Sequence, residues 1–408
     1  MGTNRDELSR RRFLAATAGS LATAGLAAMA SRVGVGASTS EEDVPATSEM
    51  ITRTLGRTGL QIPVVGMGGG ACSDPALFQA AYSHGVRLFH TSGDYLNGRS
   101  EEALARTPMM AAEAGPPIVV TGGLAPWQRE GKTGEQKTAL LVKLAEESLT
   151  RLKRDCADVY LVHDVRDAAT VRDPFIKDGL ARLKKAGKAR FVGLASHSVS
   201  KEIVETATTD GSYDVLLLGM NFTVADDPMV GAIADAAAAG IGVLAMKTQV
   251  GGRDFSGIEN WKEYDLSTMN SAALKWVLNT PGVIAAVPAP GNYEHLRNNV
   301  AVGRNLTFTE REKAFLGDNK IKLGFGFCRQ CRGCLASCPN GVEIPDLMRV
   351  HMYTNQYGNF TLARTTLRNL PRERGLAVCA NCNECTAQCA HAIVPVGTRI
   401  TALLELYG

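Results

Sequence analysis

Short apolar runs rich in β-branched residues recur along most of the chain, each followed by a longer stretch with helical spacing. The runs are Val64–Met67, Val86–His90, Ile118–Thr121, Val159–His163, Phe191–Ala195, Val215–Met220, Val243–Met246 and Val283–Val287. Glu135–Lys153 and Pro174–Ala186 are helical segments between them, and Gly85, Gly187, Gly240 and Gly282 punctuate the changes of period. Upstream, Arg53 to Leu60 reads as a hairpin with glycine at its turn. Runs that are apolar throughout, rather than alternating, suit strands buried on both faces. Eight of them alternating with helices predict an α/β fold, a (β/α)8 TIM barrel of about 250 residues. An open doubly wound sheet is the competing arrangement. It would call for a G-x-G-x-x-G turn, and Gly66-Met67-Gly68-Gly69-Gly70 lacks that spacing.

Polar residues collect where these strands end, the face on which such barrels do chemistry. His90-Thr91-Ser92-Gly93-Asp94-Tyr95 follow one strand, and His163-Asp164 follow another. Ser196-His197, Asn221 and Lys247-Thr248 end three more. A single polar strand end is an ordinary wet loop, whereas five on one face predict a site.

The first residues change the picture in another way. Ser9-Arg10-Arg11-Arg12-Phe13-Leu14 precede an Ala/Gly/Thr/Leu stretch through Met29, with small residues at Ala28-Met29-Ala30 and again at Val35-Gly36-Ala37. A basic segment, a weakly apolar segment and a small-residue site make a signal peptide. The arginine pair resembles the twin-arginine export signal, which implies a periplasmic or extracytoplasmic destination. That route implies that the protein crosses folded, with any cofactor already bound. Residues 31–49 read as a linker. No apolar span of about 20 residues marks a permanent membrane helix. A net charge of +3 over 408 residues argues against a nucleic-acid partner.

Cysteine use is uneven: eight of the ten fall between Cys328 and Cys389. Cys328, Cys331, Cys334 and Cys338 follow C-x2-C-x2-C-x3-C with Pro339 next, and Cys379, Cys382, Cys385 and Cys389 repeat the run with Ala390 next. This is the spacing of bacterial two-cluster ferredoxins, in which the fourth cysteine of each run serves the other cluster. One [4Fe–4S] cluster would take Cys328, Cys331, Cys334 and Cys389; the other would take Cys379, Cys382, Cys385 and Cys338. Zinc sites rarely place three cysteines in such a row, and cysteines so close in one run are poorly placed to bridge each other. Ile344–Gly358 and Phe360–Leu370 have helical composition, so the segment resembles the helical dicluster ferredoxins. Cys72 and Cys156 stand alone and are expected to be structural.

From about Thr52 to Val302 the chain resembles the aldo/keto reductase family. Phe89 to Glu101 looks like the family's catalytic-tyrosine segment, Asp158 to His163 its histidine strand, and Ala189 to His197 its nicotinamide-site strand. The resemblance implies hydride transfer between NADP(H) and a small carbonyl or alcohol substrate. Tyr95 would be the general acid and His163 would orient the carbonyl. It further implies cofactor contacts from Ser196, His197, Asn221, Lys247, Arg297 and Asn299. The sequence departs from the family's pattern at two positions. His90 stands where the family has an aspartate, and Gly122 stands where it has the lysine that lowers the tyrosine's pKa. Lys247 and His90 are therefore candidates to supply the missing charge. The expected organisation is a twin-arginine signal peptide (1–30), a linker (31–49), the barrel (50–318) and a two-cluster domain (319–408). A redox partner protein would exchange electrons with the clusters. A barrel that has lost catalysis and serves an electron-transfer or ligand-binding protein is the alternative, and a dehydrogenase with a permanently bound nicotinamide is a third.

Overall fold

The computed structural model describes residues 49–70, 72–113, 115–225, 227–249, 263–318 and 326–408. The signal segment and most of the linker lie outside the described residues.

The hairpin forms as β1 (Thr52–Thr54) and β2 (Gln61–Pro63), antiparallel with Thr52 opposite Pro63. Eight parallel strands follow: β3 (Met67–Gly68), β4 (Leu88–His90), β5 (Ile118–Gly123), β6 (Ala157–Val162), β7 (Ala189–Ser196), β8 (Val215–Gly219), β9 (Gly242–Met246) and β10 (Val283–Ala286). They neighbour one another in chain order, and a bridge between Val65 and Ala286 brings the two edges together into a near-closed barrel. The open doubly wound sheet is thereby excluded. The Val64–Met67 run contributes only Met67–Gly68 as strand. Its first residues instead meet β10, where Ala286 N–H donates to Val64 O at 2.9 Å.

Leu88, Val120, Val159, Leu161, Leu217 and Leu244 fill the barrel interior with Leu55 and Ile62 of the hairpin region, all buried. Outside, the Glu135–Leu152 helix buries Leu141, Ala145, Ser148, Leu149 and Leu152, one stripe at a spacing of three and four. The Pro174–Lys185 helix packs beside it, started by Asp173, whose carboxylate accepts from Phe175 N–H at 3.0 Å.

The C-terminal domain packs on the mouth of the barrel. Its Ile344–His351 helix is buried from Ile344 to Val350 on every side, which is why it reads as apolar except for Asp346 and Arg349. Helices Phe360–Asn369 and Val396–Tyr407 contact its other faces. Met352–Gln356 widens into a π-helical turn, a form that recurs at functional sites. Backbone and side-chain bonds tie the first cysteine run to β7's loop. Val199 N–H donates to Arg329 O at 2.8 Å, and Ser198 Oγ donates to Gln330 O at 3.0 Å. Among the described residues no helix is long and apolar enough to cross a membrane.

Candidate active site and cluster domain

The ends of β4, β5 and β6 bring three rings together. His90 lies edge-on to Tyr95 with ring centres 5.6 Å apart, and His163 lies 5.7 Å from His90 and 6.0 Å from Tyr95. A Cβ on Gly122 would lie 2.4 Å from Leu161 O and 2.7 Å from His163 Cδ2 and Nε2. The imidazole of His163 therefore takes the space that a side chain at position 122 would need. No lysine fits there while the ring keeps this place.

His163 Nδ1 sits 3.2 Å from Ser92 Oγ and 3.4 Å from Asp94 Oδ2. Gln128 Nε2 donates to the other Asp94 oxygen at 3.1 Å. Nε2 of His163 and Nε2 of His90 are buried without a hydrogen-bond partner among the described residues. Burial, then the neighbouring His163, holds the His90 imidazole well below its ordinary pKa, so His90 is neutral and supplies no charge to the tyrosine. Burial also pushes the Tyr95 phenol up, with Tyr353 and Asp94 adding to the effect.

Lys247 closes the other side, held in the left-handed region at φ 59°. Its Nζ donates to Tyr353 Oη at 3.0 Å and lies 4.2 Å from that ring's centre. The ammonium thus pairs with a tyrosine of the C-terminal domain, not with Tyr95, and burial lowers its pKa. Beside the three rings and Tyr353 lies a cavity of about 70 Å3. Tyr95, His163 and Trp127 line it from the barrel; Arg349, Tyr353 and Thr365 line it from the C-terminal domain.

A buried ion network fastens the two parts. Arg349 donates to both Asp164 oxygens at 3.1 and 3.3 Å and pairs with Asp346. Arg166 donates to Asp164 at 2.8 Å and to Asp346 at 2.9 Å. Burial alone would raise the Asp164 carboxyl, but Arg349 and Arg166 hold it well below the usual carboxylate range. Burial wins at Asp346, whose carboxyl is pushed up. Arg374 adds a second tether, pairing with Glu130 of the barrel and with Glu343 at 3.2 Å.

The expected cofactor residues are largely committed within the protein. The hydroxyl of Ser196 donates to Val165 O at 2.6 Å. Asn221 Oδ1 accepts from Thr223 N–H at 3.1 Å and its Nδ2 donates to Lys247 O at 3.3 Å. Asn299 Oδ1 accepts from Gln249 at 2.7 Å, and Arg297 is exposed. His197 lines both the barrel-mouth cavity and a smaller one that Cys328 also lines. A nicotinamide at this end would meet side chains already paired within the protein.

The cysteines gather in two sets. Burial raises the Cys334 thiol to about 11, helped by Cys328, Cys331 and Cys389 close by. Burial raises Cys379 to about 11 as well, helped by Cys382, Cys338 and Cys385. Each set therefore combines three thiols of one run with the fourth of the other. All ten cysteines are free thiols, without disulfides. A Cβ on Gly333 would lie 2.6 Å from the Ala390 Cβ, so the missing side chain lets the end of the second run reach the first. Among the described residues no three His, Cys, Asp or Glu groups are spaced to hold a single metal ion. A single ion draws each thiolate to about 2.3 Å, whereas a cube keeps its four thiolates apart on separate corners. The donor chemistry and the two gatherings fit two [4Fe–4S] clusters. Gln330 Nε2 donates to Cys328 Sγ at 3.3 Å, and Asn340 Nδ2 donates to Cys382 Sγ at 3.1 Å.

Residues 74–253 match the model of the aldo/keto reductase family, and residues 327–394 match that of the 4Fe-4S dicluster domain. Residues 74–253 are thus similar to aldo/keto reductases, and residues 327–394 to 4Fe-4S dicluster domains. Aldo-keto reductase YhdN of Bacillus subtilis is 24% identical over an alignment of 159 residues that covers 36% of this chain. Those residues span 47% of that relative, about half its length. Among solved structures, aldo-keto reductase AKR11C1 from Bacillus halodurans, in its holo form, has a TM-score of 0.52 at 16% identity. It covers 66% of this chain and 95% of its own. An aldo-keto reductase from Klebsiella pneumoniae in complex with NADPH has a TM-score of 0.51 at 18% identity, covering 66% of this chain and 94% of its own. These likenesses establish the aldo/keto reductase fold of the barrel. The C-terminal domain supplies Arg349, Tyr353 and Thr365 to the cavity at its mouth.

Sequence reasoning left Arg349 and Gln128 unassigned and gave no individual role to Ser92, Asp94 or Asp164; Tyr353 was expected only among the helical residues that shield the clusters, and the structure pairs it with Lys247. Two signals for the interface were present: a pair of opposite charges three residues apart, Asp346 and Arg349, inside an otherwise apolar helix, and an aspartate directly after the strand-end histidine.

Proposed function

We propose that this protein is an exported iron–sulfur oxidoreductase of aldo/keto reductase type, converting a small carbonyl or alcohol in the barrel-mouth cavity. One observation carries the reading. A second, water-sized void of about 10 Å3 is lined at once by Cys328, by His197 and Lys247 of the barrel, and by Arg349, which also lines the first cavity. A thiol of the first cysteine set therefore faces the same junction as the barrel site. Bound clusters would supply one-electron transfer, and the second set, with Cys382 and Cys385 exposed, offers the face where a redox partner protein would dock. The carbonyl–alcohol couple moves two electrons, and two bound clusters would together have the capacity to store that number.

The chain's own residues bind and position. Tyr95 presents a neutral phenol able to donate to a carbonyl oxygen. Arg349 and Tyr353 narrow the mouth, Arg349 held there by Asp164 and Tyr353 by Lys247. The arginine pair at Arg10-Arg11 supports export by the twin-arginine route, and export of a folded, cluster-loaded protein would be consistent with eight free thiols. NADP(H) is the two-electron carrier the family resemblance suggests.

The test is anaerobic titration of the purified protein with NADPH and with a panel of aldehydes and alcohols, following cluster absorbance and product together. Product formation, or cluster reduction by an alcohol, supports the oxidoreductase reading. Reversible cluster reduction by dithionite with neither NADPH binding nor turnover contradicts it. That outcome would favour the electron-transfer reading, whose own support is the Tyr95 phenol, raised by burial although Arg349 acts to lower it.

A further inference from the structure

The family's tyrosine depends on a lysine that this chain lacks, yet the site holds a second group able to move a proton. Ser92 Oγ has one hydrogen, and its shorter donor contact, 2.9 Å, runs to Gly122 O. Toward His163 Nδ1 the Ser92 oxygen therefore accepts. Asp94 Oδ2 on the same side is a carboxylate oxygen and can only accept. With acceptors alone facing it, Nδ1 must carry the imidazole hydrogen. Nε2 is then left with a lone pair, and that atom is buried, unpartnered, and belongs to a ring lining the barrel-mouth cavity. Gln128 fixes the far oxygen of Asp94 at 3.1 Å, and Ser92 Oγ accepts the Asp94 backbone N–H at 3.0 Å, so the carboxylate is itself held in place.

We propose that Ser92 and Asp94 lock His163 as the Nδ1–H tautomer, making its Nε2 the proton acceptor for a substrate hydroxyl in this cavity. This deepens the oxidoreductase reading and rests on it for the identity of the substrate. The step is a proton transfer alone: the substrate O–H bond breaks, an Nε2–H bond forms, and no electrons leave. The imidazolium so formed faces the Asp94 carboxylate, which balances its charge. Reversal of the step returns the proton to an alkoxide. Gly122 is integral to the arrangement, because any side chain there would overlap the imidazole. Ser92 and Asp94 are positioning residues and do not touch the substrate.

The test reads the tautomer directly and needs no turnover. Full-length protein labelled with 15N-histidine, its clusters oxidised, is examined by two-bond 1H–15N correlation at neutral pH. His163 is assigned as the signal lost in His163→Gln. The Nδ1–H pattern is expected for the parent protein and for Asp94→Glu. Asp94→Asn combined with Ser92→Ala is expected to convert it to a mixture or to Nε2–H. An Nε2–H pattern in the parent overturns the proposal, as does a pattern unmoved in the double variant. If the tautomer stands as expected while no carbonyl or alcohol is ever turned over, the functional reading fails and this one survives.

Discussion

The two cysteine runs have the same spacing and different surroundings. In the first set Cys334 is buried and Cys328 borders the cavity shared with His197 and Lys247, while only Cys331 is exposed. In the second set Cys382 and Cys385 are both exposed and only Cys379 is buried. Spacing therefore decides which thiols converge, and docking decides what each convergence faces. One set is turned toward the protein interior and the other toward solvent, an asymmetry invisible in the cysteine spacing that the two runs share.

The largest expected effect comes from removing one ligand at a time. Cys328→Ser and Cys382→Ser should each halve the iron and acid-labile sulfide of anaerobically purified protein. Cys328→Ser should also lower the melting temperature more, because its neighbours are core residues and those of Cys382 are solvent. Equal losses of stability would erase the inward–outward distinction.

Next in size is the clamp that creates the asymmetry. Asp164→Asn leaves Arg349 buried with a single carboxylate and should cost about 3–5 kcal/mol, the usual penalty for breaking a buried ion pair. Chemical denaturation would show it. The pH dependence follows from the same group. The Asp164 carboxyl is depressed in the folded protein, so its contribution is complete above the unfolded value of about 3.9 and is lost only as pH falls through the lower folded value. Limited proteolysis between the domains should therefore stay slow at mildly acidic pH in the parent protein and become fast in Asp164→Asn.

A smaller effect separates the barrel site from both runs. Gly122→Ala places a methyl against Leu161 O and the His163 ring and should destabilise by about 1–3 kcal/mol. Iron content should be unchanged. A fall in iron would mean that the barrel and cluster regions are less separable than their contacts indicate.

The finest test is electrochemical. Gln330→Ala removes a donor to Cys328 Sγ, and Asn340→Ala removes one to Cys382 Sγ. A hydrogen bond to sulfur stabilises the reduced, more negative cluster. Losing one, worth on the order of 1 kcal/mol, should lower a one-electron potential by roughly 40 mV. Each variant should shift one of two potentials and leave the other in place.

The barrel was legible because buried parallel strands announce themselves as unbroken β-branched runs. The exception, Val64–Met67, fell short because Val64 and Val65 close the barrel against β10 while only Met67–Gly68 joins β4. The cysteine sets were legible because ligand spacing is a local property. What the sequence could not disclose is long-range. Lys247 was expected to reach Tyr95, but its partner, Tyr353, stands 106 residues away on a domain whose docking no local pattern encodes. Asp94 was visible beside the tyrosine, and its bearing on His163 depends on β4 and β6 both flanking β5.

The central claim is that two iron–sulfur clusters reside in the C-terminal domain, one of them facing the barrel. It is tested most directly by purifying the full chain without oxygen and measuring iron, acid-labile sulfide and the electron paramagnetic resonance of the dithionite-reduced protein. The account predicts iron and sulfide for two cubes per chain and two interacting paramagnetic centres. Colourless protein with zinc or disulfides at these cysteines, or iron for a single cluster, would contradict it.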